Sequence, residues 1–300
     1  MLFITTIYRI VPIFLIIFLG FALGKIFKTL DHKLLGKLTL YLFGTIIAFV
    51  NVNLNPPSGQ DFFNYLFAFL IIFVIFTIMI LVLKKLRVYK YDTGVAVNLV
   101  THLNAGYLGY PIITVLYGEE YIRIGVIYSI TMTLIMSSIG IVMLSGDIKN
   151  GLKNMVKLPL IHGFLAGWLL AAVGVNYQNL PFLVSYPIDM LNDAAITFIL
   201  IYIGVTLSRV KLSPSNLKQT VLLTALKLLF LPVLGFLAVS IIPMEPMYRK
   251  IFLLETAMPT AMNMVVVTAE LNKEPEVGSL VVFFTTAFSV LTIPFWSIFI

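Results

Sequence analysis

The stretch HLNAGYLGYP, residues 102–111, interrupts a long apolar region of the chain with a histidine, an asparagine, two glycines and a proline. A second stretch, AMPTAMN at residues 257–263, also places a proline and an asparagine close together among apolar residues. Proline removes a helical hydrogen-bond donor and clashes with the preceding turn, and glycine permits backbone conformations that other residues avoid. Both stretches therefore predict a helix that is interrupted within an apolar span.

The composition of the whole chain is typical of a membrane protein. Its 300 residues are 60% hydrophobic and 11% charged, with a mean hydropathy of +1.03, whereas a soluble domain has about a quarter charged residues. Crossing a bilayer takes roughly 20 apolar residues in a helix. We predict an all-α membrane protein whose ten transmembrane helices cover residues 7–27, 34–54, 62–83, 93–118, 121–145, 157–175, 186–208, 217–242, 247–270 and 276–299.

The basic residues predict the orientation in the membrane. Fifteen of the 20 Lys and Arg residues lie in the loops that follow the odd-numbered spans, four lie on the opposite side, and Lys227 lies within a span. Because basic loops stay in the cytoplasm, we expect a multi-pass protein of the plasma membrane with both termini extracytoplasmic. The net charge of +7 is thus a topology signal, and we expect no nucleic-acid partner.

The two halves of the chain share a pattern of prolines and glycines. Three pairs recur at shifts of 147 or 148 residues: Pro12 with Pro159, Gly20 with Gly167, and Pro111 with Pro259. Five helices per half is an odd number, so two similar halves must be inserted in opposite orientations, which is a recurrent transporter design. We predict two inverted five-helix repeats, residues 1–150 and 151–300.

The predicted interruptions lie in spans of opposite direction, spans 4 and 9, and would cross at mid-membrane. The second half-helices, beginning near Ile112 and Thr260, would aim their N-termini at the crossing. Each N-terminus carries roughly half a positive charge and unpaired N–H groups, which suit a carboxylate. Tyr107 and Tyr110 either pack on a ring-shaped substrate or fill space between helices. The predicted substrate-binding residues are Asn104, Gly106, Tyr110, Pro111, Ile112, Pro259, Thr260 and Asn263.

The motifs NAGYLGYP (104–111), PTAMNMVVVTAE (259–270) and FTTAFSVLTIP (284–294) resemble those of the auxin efflux carrier family, which includes the plant auxin exporters. The resemblance covers nearly the whole chain. It implies a scaffold of helices 1, 2, 6 and 7, a transport domain of helices 3–5 and 8–10, and elevator-type alternating access. It also implies small organic anions as substrates and a homodimer formed through the scaffold. The long loop of the plant members is reduced here to about residues 146–156.

Four ionisable residues within the predicted spans are candidates for ion coupling: Glu255, Lys227, Asp193 and His102. Such residues are costly in a membrane and are often functional. Glu255 and Lys227 either form a structural ion pair, or Glu255 binds H⁺ or Na⁺, as a remote similarity to the bile acid–sodium symporters suggests. Asp193 is either functional or close to outer water, and His102 is either a proton relay or a hydrogen-bonding residue.

These features predict a secondary carrier of small organic anions, such as auxin-like, monocarboxylic or dicarboxylic acids. The alternatives are an H⁺- or Na⁺-coupled carrier of the bile acid symporter type, a channel, and a membrane-embedded enzyme. We expect no enzyme, because the spans contain neither an H-E-x-x-H motif nor paired acids, and no ATP-driven pump, because G-x-x-x-x-G-K-[ST] is absent. Cysteine is absent as well, and we expect neither a metal nor a cofactor.

Overall fold

The computed structural model describes residues 2–146, 158–211 and 216–300, and all regular elements in these ranges are helices. We number them by the predicted span that they occupy: α1 Leu2–Ile26, α2 His32–Leu54, α3 Gly59–Lys85, α4a Thr93–Thr101, α4b Ala105–Leu116, α5 Glu119–Ser145, α6 Pro159–Ala172, α7 Phe182–Leu207, α8 Leu217–Ile241, α9a Pro246–Thr256, α9b Asn263–Glu270 and α10 Pro275–Ser297.

Seven of these helices are long and apolar enough to cross a membrane: α1, α2, α3, α5, α7, α8 and α10. Two more apolar helices, α4b and α6, are shorter. The described part of the chain is therefore that of an all-helical membrane protein. A bilayer crossing by ten helices stays a prediction, since spans 4 and 9 are each divided into two shorter helices.

Helix α4a begins at the capping residue Asp92, which also connects this helix to the segment between α9b and α10. The Asp92 carboxylate accepts a hydrogen bond from the Val95 N–H and forms an ion pair of 2.9 Å with Lys273, which lies between α9b and α10. Its own N–H donates to the Glu274 carboxylate. Burial raises the pKa of Asp92, but the Lys273 ammonium and the Val95 N–H outweigh it and hold the pKa below its usual value.

Helices α1 and α7 pack so closely that glycines of each helix contact the backbone of the other. A Cβ atom on Gly20 of α1 would overlap the Ile201 carbonyl oxygen of α7. Likewise, a Cβ atom on Gly204 of α7 would overlap the Ile17 carbonyl oxygen of α1. Small residues of this kind let membrane helices approach closely, and their packing replaces the hydrophobic force that lipid does not supply.

Helices α2 and α6 pack in the same way. Cβ atoms on Gly163 and Gly167 of α6 would overlap the carbonyl oxygens of Thr45 and Phe49 in α2. The Asn53 amide of α2 also donates to the Gly167 carbonyl within α6, at 3.2 Å, and to the Val175 carbonyl just after α6, at 2.9 Å, so α2 is joined to α6 near its C-terminal end.

The helices fall into two packed groups. The first consists of α1, α2, α6 and α7, which contact one another along the α1–α7 and α2–α6 pairs. The second consists of α3, α4a, α4b, α5, α8, α9a, α9b and α10. The groups meet where α1 contacts α4b and α10, where α2 contacts α5, and where α7 contacts the first turn of α4b.

Candidate functional site

The interruption of span 4 covers only three residues. Helix α4a ends at Thr101 and α4b begins at Ala105, which leaves His102, Leu103 and Asn104 in non-helical conformations. The Leu103 N–H, freed from the helix, points at the sulfur of Met132 in α5 at 3.2 Å. The predicted interruption of span 4 is therefore present.

The interruption of span 9 is longer and contains Pro259. Helix α9a ends at Thr256, and α9b begins at Asn263. The Thr260 N–H donates to the Thr285 hydroxyl of α10 at 3.2 Å, and the Thr260 hydroxyl donates to the Leu99 carbonyl of α4a at 2.6 Å. A single threonine thus joins both halves of the chain at this point.

The two interruptions lie against each other and pair through their backbones. The Asn104 N–H donates to the Pro259 carbonyl, and the Ala261 N–H donates to the His102 carbonyl, each at 2.8 Å. Leu103 and Thr260 form an isolated antiparallel bridge between these two bonds. Since hydrocarbon offers no hydrogen bonds, backbone groups freed inside a membrane need such partners. Each interruption supplies them to the other.

The second half-helices do not begin where the prolines predict. Helix α4b begins at Ala105, about two turns before the expected start near Ile112, and Pro111 lies within it. A π-helical turn, Ala105–Gly109, precedes Pro111 and accommodates the missing N–H, since its wider hydrogen bonding keeps carbonyl groups away from the ring. In span 9 the helix begins at Asn263, after the expected start near Thr260.

Most of the predicted substrate-binding side chains are buried in the protein. Six of the eight have less than a tenth of their surface exposed: Asn104, Tyr110, Pro111, Ile112, Pro259 and Thr260. The other two, Gly106 and Asn263, remain accessible, as do the half-buried His102 and Tyr107. Asn263 and His102 are neighbours, with 3.5 Å between the amide nitrogen and Nε2. The accessible part of the site is thus the start of α4b with His102 and Asn263.

Three polar groups line the buried side of this site. The Asn104 amide nitrogen is buried and has no hydrogen-bond partner among the described residues. The hydroxyl oxygens of Tyr110 and Ser129 lie 3.6 and 3.7 Å from the position that a Cβ atom on Gly106 would take. The start of α4b is therefore backed by polar atoms, which is unusual for the interior of a membrane protein.

Glu255 and Lys227 are fully buried near this site, but they do not form a direct ion pair. The described ranges contain one ion pair, between Asp92 and Lys273. The two Glu255 carboxylate oxygens and the Lys227 ammonium have no hydrogen-bond partner in those ranges. The two groups still interact electrostatically, and Lys227 also interacts with His102. A direct contact, which the structural ion pair would need as one of the two alternatives for these residues, is thus not among the described ion pairs, and the carboxylate lies instead beside α4b and α5.

The Glu255 carboxylate lies where two glycines leave space for it. A Cβ atom on Gly109 of α4b would be 2.5 Å from both carboxylate oxygens, and one on Gly125 of α5 would be 3.2 Å from Oε1. The hydroxyls of Tyr110 and Tyr128 lie within electrostatic range of the same carboxylate. Glu255 therefore connects α9a to the second half of the other interrupted helix.

Asp193 is the one predicted ionisable candidate that the structure keeps away from the interruptions. It lies about 16 Å along α7 at the usual helical rise and its side chain is exposed. It is near Tyr177, whose hydroxyl donates a hydrogen bond of 2.7 Å to Asp189. No contact among the described residues links Asp193 to His102 or Glu255.

Sequence reasoning missed the contribution of α5 and α10 to the site. Tyr128, Ser129 and Met132 of α5 and Thr285 of α10 all reach the interruptions or Glu255. The only signal available was that polar residues recur inside apolar spans, and it does not say which way they point. Within the described ranges no group of three or more His, Asp or Glu residues could hold a metal ion.

Comparison with known proteins matches one family model twice, once to each half of the chain. A family model described as a membrane transport protein matches residues 5–157 and 148–297. An uncharacterized transporter of Methanocaldococcus jannaschii is 27% identical over 305 aligned residues, which cover 96% of each chain. An uncharacterized transporter of Methanothermobacter thermautotrophicus is 25% identical over 199 residues. That alignment covers 65% of this chain and 64% of the relative, slightly less than two thirds of its length.

Proposed function

Because the chain belongs to the membrane transport protein family, we propose that it is a secondary carrier of small organic anions that works by alternating access. The resemblance to the auxin efflux carriers is confirmed at the level of this family. Two relatives carry the description uncharacterized transporter, which favours a transporter over an enzyme. The observation that carries the proposal is the pair of interruptions, joined by backbone hydrogen bonds, beside the accessible start of α4b.

The start of α4b is suited to an anion. Its first free N–H groups and its dipole favour negative charge, and Gly106 brings the backbone within reach of a ligand. His102 and Asn263 add side chains that can donate hydrogen bonds to a carboxylate. A carboxylate would thus be held at neutral backbone and polar groups, which release it more readily than a buried arginine would. Such weak binding suits a carrier.

The aromatic pair Tyr107 and Tyr202 favours a substrate with an apolar body. The two rings meet edge to face, with centroids 6.2 Å apart, and they join the start of α4b to α7. An aromatic or aliphatic acid could place its apolar part on Tyr107 and its carboxylate on the helix start. Auxin-like, monocarboxylic and dicarboxylic acids all remain within this proposal.

The packing of the two helix groups supports an elevator mechanism. We assign α1, α2, α6 and α7 to the scaffold and the remaining helices to the transport domain, with the interrupted spans 4 and 9 crossing in the middle of the membrane. The glycine-packed pairs α1–α7 and α2–α6 suit a rigid scaffold, whereas the interruptions lie wholly in the other group. Movement of that group would carry the site across the membrane.

The same packing supports the inverted repeat. Exchanging the two halves turns the α1–α7 pair into α6–α2, and both pairs pack through glycines. The helix ends match as well: Asn53 near the end of α2 donates to the Val175 carbonyl after α6, and Arg209 after α7 donates to the Phe27 and Leu30 carbonyls after α1. We further propose both termini outside the cytoplasm, the plasma membrane as location, and a homodimer formed through the scaffold.

The experiment is uptake of radiolabelled small carboxylates by proteoliposomes, with Asn263→Ala as the test variant. Loss of one exposed amide donor should weaken the apparent substrate affinity about tenfold, because a hydrogen bond to a charged group contributes about 1.5 kcal/mol. Asn179→Ala removes an exposed amide far from the site and is the matched control. Equal substrate affinities in the two variants would show that the anion does not bind at Asn263. A flux that does not saturate with substrate concentration would indicate a channel.

A further inference from the structure

The contacts between the two helix groups are distributed unevenly along the helices. We propose that this structure is the state of the carrier in which the site opens toward the end of the molecule where α9b finishes, and that contacts at the start of α1 close the opposite end. We call these contacts the α1 latch: Thr6 with Ser297, and Arg9 with Leu116. The proposal rests on the proposed alternating access, which needs one open end and one closed end.

The two ends of the molecule are distinguished by the segments that meet there. At one end, here the α9b end, Lys273 after α9b forms its ion pair with Asp92 before α4a. At the other end, here the α1 end, α1 begins beside the last residue of α10. Each interrupted span therefore has one half at each end, with α4a and α9b at the α9b end and α4b and α9a at the α1 end.

The extensive contacts between the helix groups lie toward the α1 end or at the level of the interruptions. Helix α1 contacts α4b and α10, and the second part of α2, Gly44–Leu54, contacts the first part of α5, Ile122–Ile135. Helix α7 contacts the first turn of α4b, where Tyr107 meets Tyr202. Among the described residues, no contact of comparable extent joins α4a or α9b to α1, α2, α6 or α7. The boundary between the groups is therefore closed at the α1 end and more open at the α9b end.

The exposed face of α9b leads from the α9b end to the site. Asn263, Val266 and Glu270 lie at positions i, i+3 and i+7 of this helix, and all three are exposed. Met264 and Thr268, on its other side, are buried. The Asn263 amide and the Glu270 carboxylate would be costly against hydrocarbon, which favours water at this face. We therefore take the face as one wall of a water-accessible path that ends at the paired interruptions.

The α1 latch joins the start of α1 to the ends of two helices of the other group. The Ser297 hydroxyl, at the end of α10, donates to the buried Thr6 hydroxyl at 3.0 Å. One turn further along α1, the Arg9 guanidinium donates to the Leu116 carbonyl at the end of α4b, at 3.5 Å. Both contacts must break if α4b and α10 move past α1. Hydrogen bonds of this kind contribute modestly to stability, so they can hold one state and still open.

The test measures how fast a membrane-impermeant maleimide labels single cysteines from either side of a membrane, since the chain has no cysteine of its own. Lys28→Cys, in the exposed loop after α1, marks the side of the α9b end. Val266→Cys should label from that side on the order of tenfold faster than from the other side, because one state is mainly populated. Val115→Cys, which follows Tyr107 by two turns on α4b and is partly buried, should label slowly from both sides.

The double variant Arg9→Ala/Ser297→Ala removes the polar contacts of the α1 latch. In this background Val115→Cys should label on the order of tenfold faster from the side of the α1 end. Arg249→Ala/Ser240→Ala, which removes an exposed arginine and an exposed serine at the same end, is the matched control and should leave that rate unchanged.

Three results would overturn the proposal. The first is labelling of Val266→Cys that is as fast from the side of the α1 end, and the second is fast labelling of Val115→Cys while the α1 latch is intact. The third is a latch variant that labels like its control. Because labelling needs no organic anion, these rates are independent of the proposed substrate class, and a failure of anion binding at Asn263 would leave them unchanged.

Discussion

The paired interruptions and the glycine-packed helices solve the same problem in opposite ways. At Gly20 and Gly204 the helices are continuous, and stability comes from close contact between the two helices. At Leu103 and Thr260 the helices are broken, and the backbone groups of one interruption bond to those of the other. The difference shows where a membrane protein can place a polar site. Broken backbone needs a partner, and the helix start that follows a break keeps N–H groups that can bind a ligand.

The largest effect is expected from filling the glycine contacts of the scaffold. Gly204→Ala would place a Cβ atom on the Ile17 carbonyl oxygen, and the backbones cannot separate without loss of the α1–α7 packing. We expect a loss of about 3 kcal/mol or more and a low yield of folded protein in detergent, measured by thermal unfolding. Gly59→Ala, at a helical glycine with open space around it, should be neutral. Equal stability of both variants would mean that α1 and α7 are not packed this closely.

A second large effect should separate the two groups by function instead of stability. The double variant Tyr107→Cys/Tyr202→Cys places one thiol on each side of the boundary where the two rings now meet. Because the chain has no other cysteine, a short bifunctional methanethiosulfonate should join only these two positions, through mixed disulfides. We expect the crosslink to abolish uptake and a reducing agent to restore it. Full uptake by the crosslinked protein would contradict an elevator movement of α4b past α7.

A smaller effect is expected from the bond between the interruptions. Thr260→Val keeps the shape of the side chain but removes the hydroxyl that donates to the Leu99 carbonyl. We expect a loss of about 1 kcal/mol in thermal unfolding, since hydrogen bonds between membrane helices contribute modestly. Thr77→Val is the matched control, because the Thr77 hydroxyl bonds only to the Phe73 carbonyl of its own helix. If both variants lose the same stability, the Thr260 bond does not hold the interruptions together.

The sequence predicted the positions of the interruptions better than it predicted the helix starts and the buried side chains there. Proline and glycine in residues 102–111 and 257–263 are direct signals of broken helices, and opposite span directions imply that the breaks meet. The exact helix starts were not predictable, because a π-helical turn lets Pro111 sit inside α4b instead of at its beginning. Long apolar spans also carry no clear amphipathic pattern, so the burial of Asn104 and Thr260 could not be read from spacing.

The buried charges illustrate the same limit. Lys227 and Glu255 were recognisable as costly residues within spans, and both are indeed fully buried. The absence of a direct ion pair between them depends on Gly109 and Gly125, which provide the space that the carboxylate occupies. Glycines at such contacts cannot be told from glycines at kinks until the neighbouring helix is known. For this reason the partners of Glu255 from α4b and α5 came only from the structure.

The most direct test of the central claim is thiol labelling of Asn263→Cys in membranes, since the natural chain has no cysteine. We predict that a water-soluble maleimide labels this position, although it lies between apolar helices, and that a transported carboxylate slows the labelling several-fold. Asn179→Cys, in the loop before α7, should label at the same rate with and without the carboxylate. Failure of Asn263→Cys to label, or labelling that no transported carboxylate slows, would contradict an anion site at the paired interruptions.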